Sequence, residues 1–253
     1  MKQLRKKLLE TAAGTGSWHI PSGLSILDVL WVLYDRILDI NPKKMKSQEH
    51  DHFILSKGHG SLGLYVVLAE KSFIRKADLK NIGKFSSILG GHPDRNKING
   101  VEASTGSLGH GLPMAVGLAL AQKISRDPHR VFVLVGDGEC NEGTIWESAL
   151  LAAHRSLNNL CCIIDFNHST DRALSLGDLA KKFESFGWKV KEINGHDQEQ
   201  IHSALKEMSD DKPLAIIAKT IKGNGCKMME NNPEWHHKAL KLEDLPIILK
   251  ELN

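Results

Sequence analysis

The sequence predicts an α/β fold with a mainly parallel sheet that helices cover on both faces. From residue 131 onward, short apolar runs alternate with stretches of helical periodicity, and glycine-rich turns follow the runs at 52–56 and 131–135. Strands separated by helices of this length indicate βαβ units, whose parallel strands are buried on both sides. No repeat, low-complexity tract or linker interrupts residues 1–253, so a single domain is expected.

The amino-terminal part is predicted to contain three helices and one strand. The first helix covers 2–13 and ends at glycines. Ser25 is expected to cap a second helix that runs to residue 37, because apolar residues recur there at helical spacing. A short strand at 52–56 leads through the turn "KGHG" into a helix that begins at "SLGLYVV".

A long surface loop is predicted over 83–107, which has many glycines and little periodicity; loops of this length are often functional. The segment "LGHGLPMAVGLALAQK" follows as a helix of small residues. The later strands are expected at 131–135, 160–165, 188–193 and 214–219, and the later helices at 142–155, 178–186 and 197–208.

Composition and charge exclude several classes of partner. The formal charge is +3, and the densest basic run, residues 2–10, fits a solvated helix face, so no nucleic acid is implied. No segment approaches the roughly 18 apolar residues of a membrane helix, so no membrane partner is expected. The four cysteines have no disulfide-framework spacing, which favours a cytoplasmic location.

The stretch "VFVLVGDGECNEG" places Asp137 at the carboxyl end of a predicted strand, where ligands of parallel sheets bind. A dinucleotide fingerprint would require glycine in place of Asn141, and an unpaired Asp137 would repel a pyrophosphate. A divalent cation between the acid and a diphosphate removes this conflict, because Mg²⁺ binds carboxylates together with phosphates. Asp137 is therefore a candidate metal ligand.

Asn167 ends the next strand, "LCCIIDFN", and is the second candidate metal ligand. The bend at "NHS" offers the carbonyl of Ser169 as a third. Taken singly, Asp137 as a helix cap and Asn167 as a turn residue are also reasonable interpretations. A pair at successive strand ends favours the metal site.

These residues carry a family resemblance. "GDGECNEGTIWESALLAAH" followed by "IIDFN" resembles the thiamine diphosphate motif of the transketolase family. "GSWHIPSGLSILDVLW", "DHFILSKGHGSLGLY" and "GGHPDRNKINGVEASTGSLGHGLPMAVGLALA" resemble further segments of that family, and "MENNPEWH" is similar to transketolases encoded as two chains. The resemblance implies a thiamine diphosphate-binding fold, with thiamine diphosphate and Mg²⁺, or Ca²⁺ or Mn²⁺, as cofactors.

The resemblance also implies roles for particular residues. Catalytic roles fall to His19, His59, His92, His236 and Glu142. Cofactor contacts are implied for His59, Gly106, Ser107, Leu108, Gly136, Asp137, Gly138, Glu139, Asn167 and His236. The family sets acids matching Glu142 and Glu147 between two active sites, although favourable helix-terminal charge also explains Glu147. His50, His129, His154 and His202 are interpreted as core or surface residues, and His110 has no assigned role.

The implied function is transfer of a two-carbon ketol unit from a ketose to an aldose, in carbohydrate metabolism. The chain would be the diphosphate-binding subunit of an α2β2 heterotetramer, acting on a sugar or sugar phosphate together with a separate pyrimidine-binding subunit. Two alternatives stay open. One is the α subunit of a 2-oxoacid dehydrogenase or decarboxylase, and the other is a non-catalytic cofactor-binding homologue.

Overall fold

A five-stranded sheet organises the molecule, and its strands are all parallel, in the order β1-β2-β3-β5-β4. The computed structural model describes residues 1–16, 18–47, 49–171, 173–208 and 211–252. The strands are β1 (His52–Leu55), β2 (Val131–Gly136), β3 (Leu160–Phe166), β4 (Lys189–Asn194) and β5 (Leu214–Lys219). Each lies where the sequence predicts a strand, within a residue at either end.

The helices also follow the predicted alternation. They are α1 (Lys2–Ala12), α2 (Ile20–Val32), α3 (Ser61–Glu70), α4 (Gly111–Ser125), α5 (Gly143–His154), α6 (Leu179–Ser185), α7 (Gln198–Lys206) and α8 (Leu245–Lys250). Helix α8 has no counterpart in the sequence analysis. Among the described residues, none of the helices has the length and hydropathy that crossing a bilayer requires.

The sheet separates two apolar cores, as expected for parallel strands covered on both faces. Along β2, Phe132 and Leu134 belong to the core shared with α1, α2, α3 and α7. Val133 and Val135 belong to the core shared with α4, α5 and α6. Alternate residues of a strand point to opposite faces, so every side chain of β2 is buried.

Two local predictions in the amino-terminal part are wrong. Ser25 does not cap α2, because this helix begins at Ile20 with Pro21 in its first turn, and Ser25 lies buried within it. The basic run is not wholly solvated either. Arg5 is buried and forms an ion pair with Asp28 at 2.7 Å, because the helix turns it towards the core.

The segment 83–107 contains neither helix nor strand, as predicted, and it is anchored at several points. Tyr65 and Ser61 of α3 donate hydrogen bonds to the carbonyls of Gly90 and Gly91 at 3.0 and 2.9 Å. The Thr105 hydroxyl donates to the carbonyl of Leu55 at 2.7 Å. The loop thus contacts α3 and the end of the edge strand β1, and its last residues lie at the carboxyl edge of the sheet.

Candidate functional site

Asp137 and Asn167 meet at the carboxyl edge of the sheet. They follow β2 and β3, which pair in parallel with Gly136 opposite Asp165. The Ser169 N–H donates to Asp137 Oδ2 at 2.9 Å and to Asn167 Oδ1 at 3.1 Å. A left-handed backbone at His168, with φ 61°, makes the bend. Two oxygens from adjacent strands therefore converge on one point, as the sequence predicts.

The donor set fits a hard divalent cation. A carboxylate and an amide oxygen are ligands that Mg²⁺ accepts alongside phosphate oxygens. Burial and the nearby Asp165 raise the pKa of the Asp137 carboxyl, and a cation would favour its charged form. Ser169 contributes its N–H and its hydroxyl, which lies 3.1 Å from Asp137 Oδ1. Its carbonyl as a third ligand stays a prediction.

A buried polar network contacts the side chain of Asn167 and holds it in place. We define it as Asp165, Lys57, Ser25, Thr220 and Asn167. The Lys57 ammonium forms an ion pair with Asp165, and both side chains are at most 2% exposed. The Ser25 hydroxyl lies 2.6 and 2.8 Å from the two carboxylate oxygens. Thr220 donates to the same carboxylate.

This network decides which way the Asn167 amide points. Its Nδ2 donates to Asp165 Oδ2 at 2.9 Å, which turns its oxygen towards Ser169 and Asp137. Burial alone would raise the pKa of Asp165, but the Lys57 ammonium and the two hydroxyl groups outweigh it and lower the pKa. The carboxylate therefore stays charged and holds the amide in one orientation.

Three predicted histidines lie together beside this edge. The ring centroid of His19 is 5.0 Å from that of His59 and 4.9 Å from that of His236. His237, which the sequence analysis did not single out, lies 4.7 Å from His19. The His19 Nδ1–H donates to the carbonyl of His236 at 2.8 Å. We call these four residues the histidine cluster.

His19, His59 and His236 of this cluster are neutral near pH 7. Burial, together with His236 and His237, lowers the pKa of His19 to about 4. Burial and the Lys57 ammonium lower the pKa of His59 to about 2. Burial and Lys222 also lower the pKa of His236. Neutral imidazoles combine one N–H donor with one acceptor, so they suit hydrogen bonding to an oxygen and proton transfer.

Lys222 lies against the histidine cluster, with its Nζ 3.0 Å from His236 Nδ1. Burial and the repulsion of Lys57 lower its pKa from 10.5 to about 8. Lys222 and His236 line a cavity of about 290 Å³ together with Asn167 and Ser169. The cavity thus joins the candidate metal ligands to the cluster.

Glu139 holds three segments together. Its buried carboxylate accepts hydrogen bonds from the N–H groups of Gly136 and Gly109 at 2.8 and 2.9 Å, and from the Ser56 hydroxyl at 2.5 Å. These bonds tie the Gly136–Gly138 turn to the end of β1 and to the loop before α4. Any contact of residue 139 with a cofactor would therefore use its backbone.

The segment predicted to face the cofactor rings lies beside His92. The ring of His92 is within 3.2 to 3.6 Å of the place where a Cβ on Gly106 would lie. His92 and Gly106 are thus neighbours, but no aromatic contact joins His92 to the histidine cluster among the described residues. His110, which has no assigned role, contacts this segment: its Nδ1 lies 3.0 Å from the Leu108 carbonyl and 3.3 Å from Ser107 Oγ.

Glu142 and Glu147 are both exposed, at the start and in the middle of α5. Glu142 packs against Gly109, whose φ of 80° and crowded surroundings leave no space for a side chain. Glu147 lies beyond the first turn of α5, which weakens the helix-terminal explanation for it. Neither carboxylate takes part in the buried networks formed by the described residues.

The whole chain matches one protein family. The model of the transketolase thiamine diphosphate binding domain covers residues 2–252. The chain belongs to the transketolase family. The match confirms the predicted family, fold class and thiamine diphosphate-dependent transferase type, and it favours transketolase over the 2-oxoacid dehydrogenase alternative.

Relatives within the family extend this comparison. The chain is 41% identical to one of the subunits of an apulose-4-phosphate transketolase from Actinobacillus succinogenes, over 99% of this chain and 94% of that protein. It is 36% identical to a 6-deoxy-6-sulfo-D-fructose transketolase subunit from Clostridium sp., over 98% of this chain and 93% of that protein. The structure superposes on transketolase from Leishmania mexicana with a TM-score of 0.89 and 29% identity, covering 98% of this chain but 40% of that one.

Sequence reasoning missed the residues that support the site. Lys57, Asp165, Ser25, Thr220, Lys222 and His237 all contribute to the networks described above. One signal was present: an aspartate in the apolar run "LCCIID" must find a partner, because an unpaired buried charge is costly. The sequence does not tell which residue that partner is.

Proposed function

We propose that this chain is the diphosphate-binding subunit of a two-chain transketolase. In this proposal residues 1–253 form one thiamine diphosphate-binding domain, and the enzyme transfers a two-carbon ketol unit from a ketose to an aldose. The observation that carries the proposal is the convergence of the Asp137 and Asn167 oxygens beside the neutral imidazoles of His19, His59 and His236. Bound thiamine diphosphate would supply the carbanion chemistry that side chains lack.

Asp137 and Asn167 would hold Mg²⁺, with Ser169 as the third protein ligand. The cation would offset the repulsion between the Asp137 carboxylate and a diphosphate. The buried polar network supports this role, because it presents the oxygen of Asn167 and keeps its N–H₂ group occupied. The backbone of Gly136, Gly138 and Glu139 would approach the diphosphate at the same strand end.

The histidine cluster would donate and accept hydrogen bonds at the oxygen atoms of the substrate. At pH 7 the Lys222 ammonium donates to His236 Nδ1, which leaves the proton of His236 on Nε2, ready to be donated. His19 donates through Nδ1, so its Nε2 is free to accept a proton. His59 and His92 complete the set, and the protein thereby positions both donors and acceptors around a carbonyl or hydroxyl group.

Gly106, Ser107 and Leu108 would lie against the cofactor rings, and a second chain would cover the other side. Leu108 is 36% exposed, and Met114, Leu150 and Leu151 on α4 and α5 are also exposed. Apolar residues spread over neighbouring helices favour a large interface. Trp146 of α5 contributes less to this surface, because its ring already packs against Phe183 and Phe186.

We assign this surface to two kinds of contact in an α2β2 heterotetramer: one with a second copy of this chain and one with a pyrimidine-binding subunit. The Actinobacillus succinogenes relative is named as only one of the subunits of its transketolase, which supports a separate partner. Glu142 and Glu147, both exposed, are placed at the contact between two active sites. A cytoplasmic location is also proposed, supported by four buried cysteines without disulfides.

The substrate is proposed to be a sugar with an anionic group. The names of the two relatives contain a 4-phosphate and a sulfo group, and Lys222 provides a cation in the cavity. A panel of ketose donors that carry a phosphate, a sulfonate or neither would rank these classes. Preference for the neutral ketose would contradict this part of the proposal.

The decisive experiment is to express the chain alone and together with its genomic neighbour, and to measure mass and ketol transfer for both. We expect activity only in the heteromeric sample with thiamine diphosphate and Mg²⁺. A monomer that turns over by itself would contradict the two-chain proposal. A heteromer that binds no cofactor in calorimetry would instead support a non-catalytic homologue.

A further inference from the structure

A second group of metal-ligand residues lies at the opposite end of β1. His52 is the first residue of β1, His50 precedes it by two residues, and Glu102 belongs to the loop 83–107. One ring nitrogen of each histidine and a carboxylate oxygen of Glu102 lie within 4.8 Å of one another. Among the described residues this is the only such group of three. A strand extends by ~3.3 Å per residue, so this group lies more than about 10 Å from Lys57, which follows the other end of β1.

Two atoms of this group are buried without a partner. Among the described residues, His52 Nδ1 and Glu102 Oε1 have no hydrogen-bond partner, although they lie in ion-pair contact with each other at 3.2 Å. The side chain of His52 is 8% exposed and that of His50 is 1% exposed. Buried polar atoms of native proteins nearly always have a partner, so these two indicate a missing one.

One ring nitrogen of His50 already has a backbone partner. Its Nδ1 lies 2.9 Å from the carbonyl of Asp51, and a carbonyl only accepts, so the proton is on Nδ1. Nε2 then keeps its lone pair, whereas Nδ1 is the ring nitrogen that lies 3.6 Å from Glu102 Oε1, so the ring must turn to present Nε2 to a shared ion. Metal-binding histidines characteristically donate their other N–H to a carboxylate or a backbone carbonyl, which orients the ring.

We propose that His50, His52 and Glu102 bind a Zn²⁺ ion, with water as the fourth ligand. Zinc bonds of ~2.0–2.1 Å at tetrahedral angles place ligand atoms about 3.3–3.4 Å apart, close to the 3.2 Å between His52 Nδ1 and Glu102 Oε1. The full group spans up to 4.8 Å, so binding draws the ligands together by up to about 1.5 Å. Two imidazoles with one carboxylate favour zinc over magnesium.

Such an ion would fasten the loop 83–107 to the edge of the sheet. Glu102 precedes Gly106 by four residues, and Thr105 already anchors this part to Leu55. The ion would therefore restrict the loop that carries Gly106 and Leu108 without touching the cavity. This site would give the buried His50 a role as a ligand in addition to its place in the core, and it does not depend on the proposed transketolase activity.

The test is zinc titration of the full chain after treatment with a chelator, in excess Mg²⁺ so that the Asp137 site is saturated. We expect one zinc per chain, with an affinity that falls at least about 100-fold in Glu102→Gln and His52→Gln, since even outer-shell changes cost ~10–100-fold. His154→Gln, an exposed histidine on α5, is the matched control and should bind as the wild type does.

The histidine cluster is the competing zinc site, so the titration is repeated in His19→Gln. Zinc binding that survives Glu102→Gln but disappears in His19→Gln would overturn the proposal, and so would the absence of zinc binding at micromolar concentrations. Co²⁺ added to the His19→Gln chain gives an independent readout, because a tetrahedral site produces visible absorption. Absence of that absorption would also overturn the proposal.

Discussion

Two lysines reach the same edge of the sheet, but their surroundings differ. Lys57 is buried and bonded to the Asp165 carboxylate, which two hydroxyl groups and the Asn167 amide also contact. Lys222 is only partly buried, and its partner is the neutral imidazole of His236. One cation is therefore neutralised by a bonded carboxylate, whereas the other forms no ion pair among the described residues and interacts only through space with Asp137 and Asp165.

This difference separates the residues that stabilise the structure of the site from the residues that are available to bind a ligand. The buried polar network satisfies its own charges and holds Asn167 in place. Lys222 and His236 line the cavity together with Asn167 and Ser169, and burial lowers the pKa of both. Burial also raises the pKa of the Asp137 carboxyl. Substitutions in the first group should reduce stability, and those in the second should reduce binding.

The largest effect is expected for Asp165→Ala, which leaves the Lys57 ammonium buried without a counter-charge. Breaking a buried pair in this way costs about 3–5 kcal/mol in the free energy of unfolding. Urea denaturation measures it. Glu192→Ala, which breaks the exposed pair with Lys219, is the control and should cost no more than about 1 kcal/mol. Equal losses in the two variants would remove the distinction between scaffold and ligand site.

The next effect is expected for Asp137→Ala, which should leave the fold intact but weaken Mg²⁺-dependent binding of thiamine diphosphate. We expect a loss of at least about 100-fold, because the diphosphate would then lack a well-held cation. Calorimetry at limiting Mg²⁺ measures it. Asp171→Ala removes an exposed carboxylate of the neighbouring loop and should have no effect. Unchanged affinity in Asp137→Ala would contradict the ligand assignment.

A smaller effect on the affinity for thiamine diphosphate is expected from a rise in pH. The pKa of Lys222 is lowered to about 8, so its positive charge is present at pH 7 and is lost as the pH rises through 8. Affinity for thiamine diphosphate at saturating Mg²⁺ should therefore fall by up to about 10-fold between pH 7 and 9, following the protonated fraction. Lys222→Arg should abolish this dependence, since arginine stays charged. The same decline in both proteins would assign it to another group.

The smallest effect is expected for Asn167→Ala. A neutral amide contributes less to cation binding than a carboxylate, so the loss of Mg²⁺-dependent affinity should be several-fold, on the order of 5-fold. The variant also removes a donor to Asp165, and stability measured by urea denaturation should fall by about 1 kcal/mol. A larger loss of binding than in Asp137→Ala would reverse the proposed order of the two ligands.

The elements of the fold were predictable because their signals are local. The apolar runs that became β2 and β3 and the helical periodicity between them lie within contiguous residues. Ser25 shows the limit of such signals. A serine before an apolar helical pattern resembles a cap, but the packing of α2 on the sheet makes it a buried donor to Asp165.

The sequence by itself determined that Asp137 and Asn167 would lie near each other, because parallel strands place their carboxyl ends at one edge. It also determined the family, through motifs that are each contiguous. Only the tertiary structure decided that Lys57 pairs with Asp165, that Lys222 contacts His236, and that His50 and His52 meet Glu102. These contacts depend on strand order and loop paths, which arise from the packing of the whole chain and have no local signature.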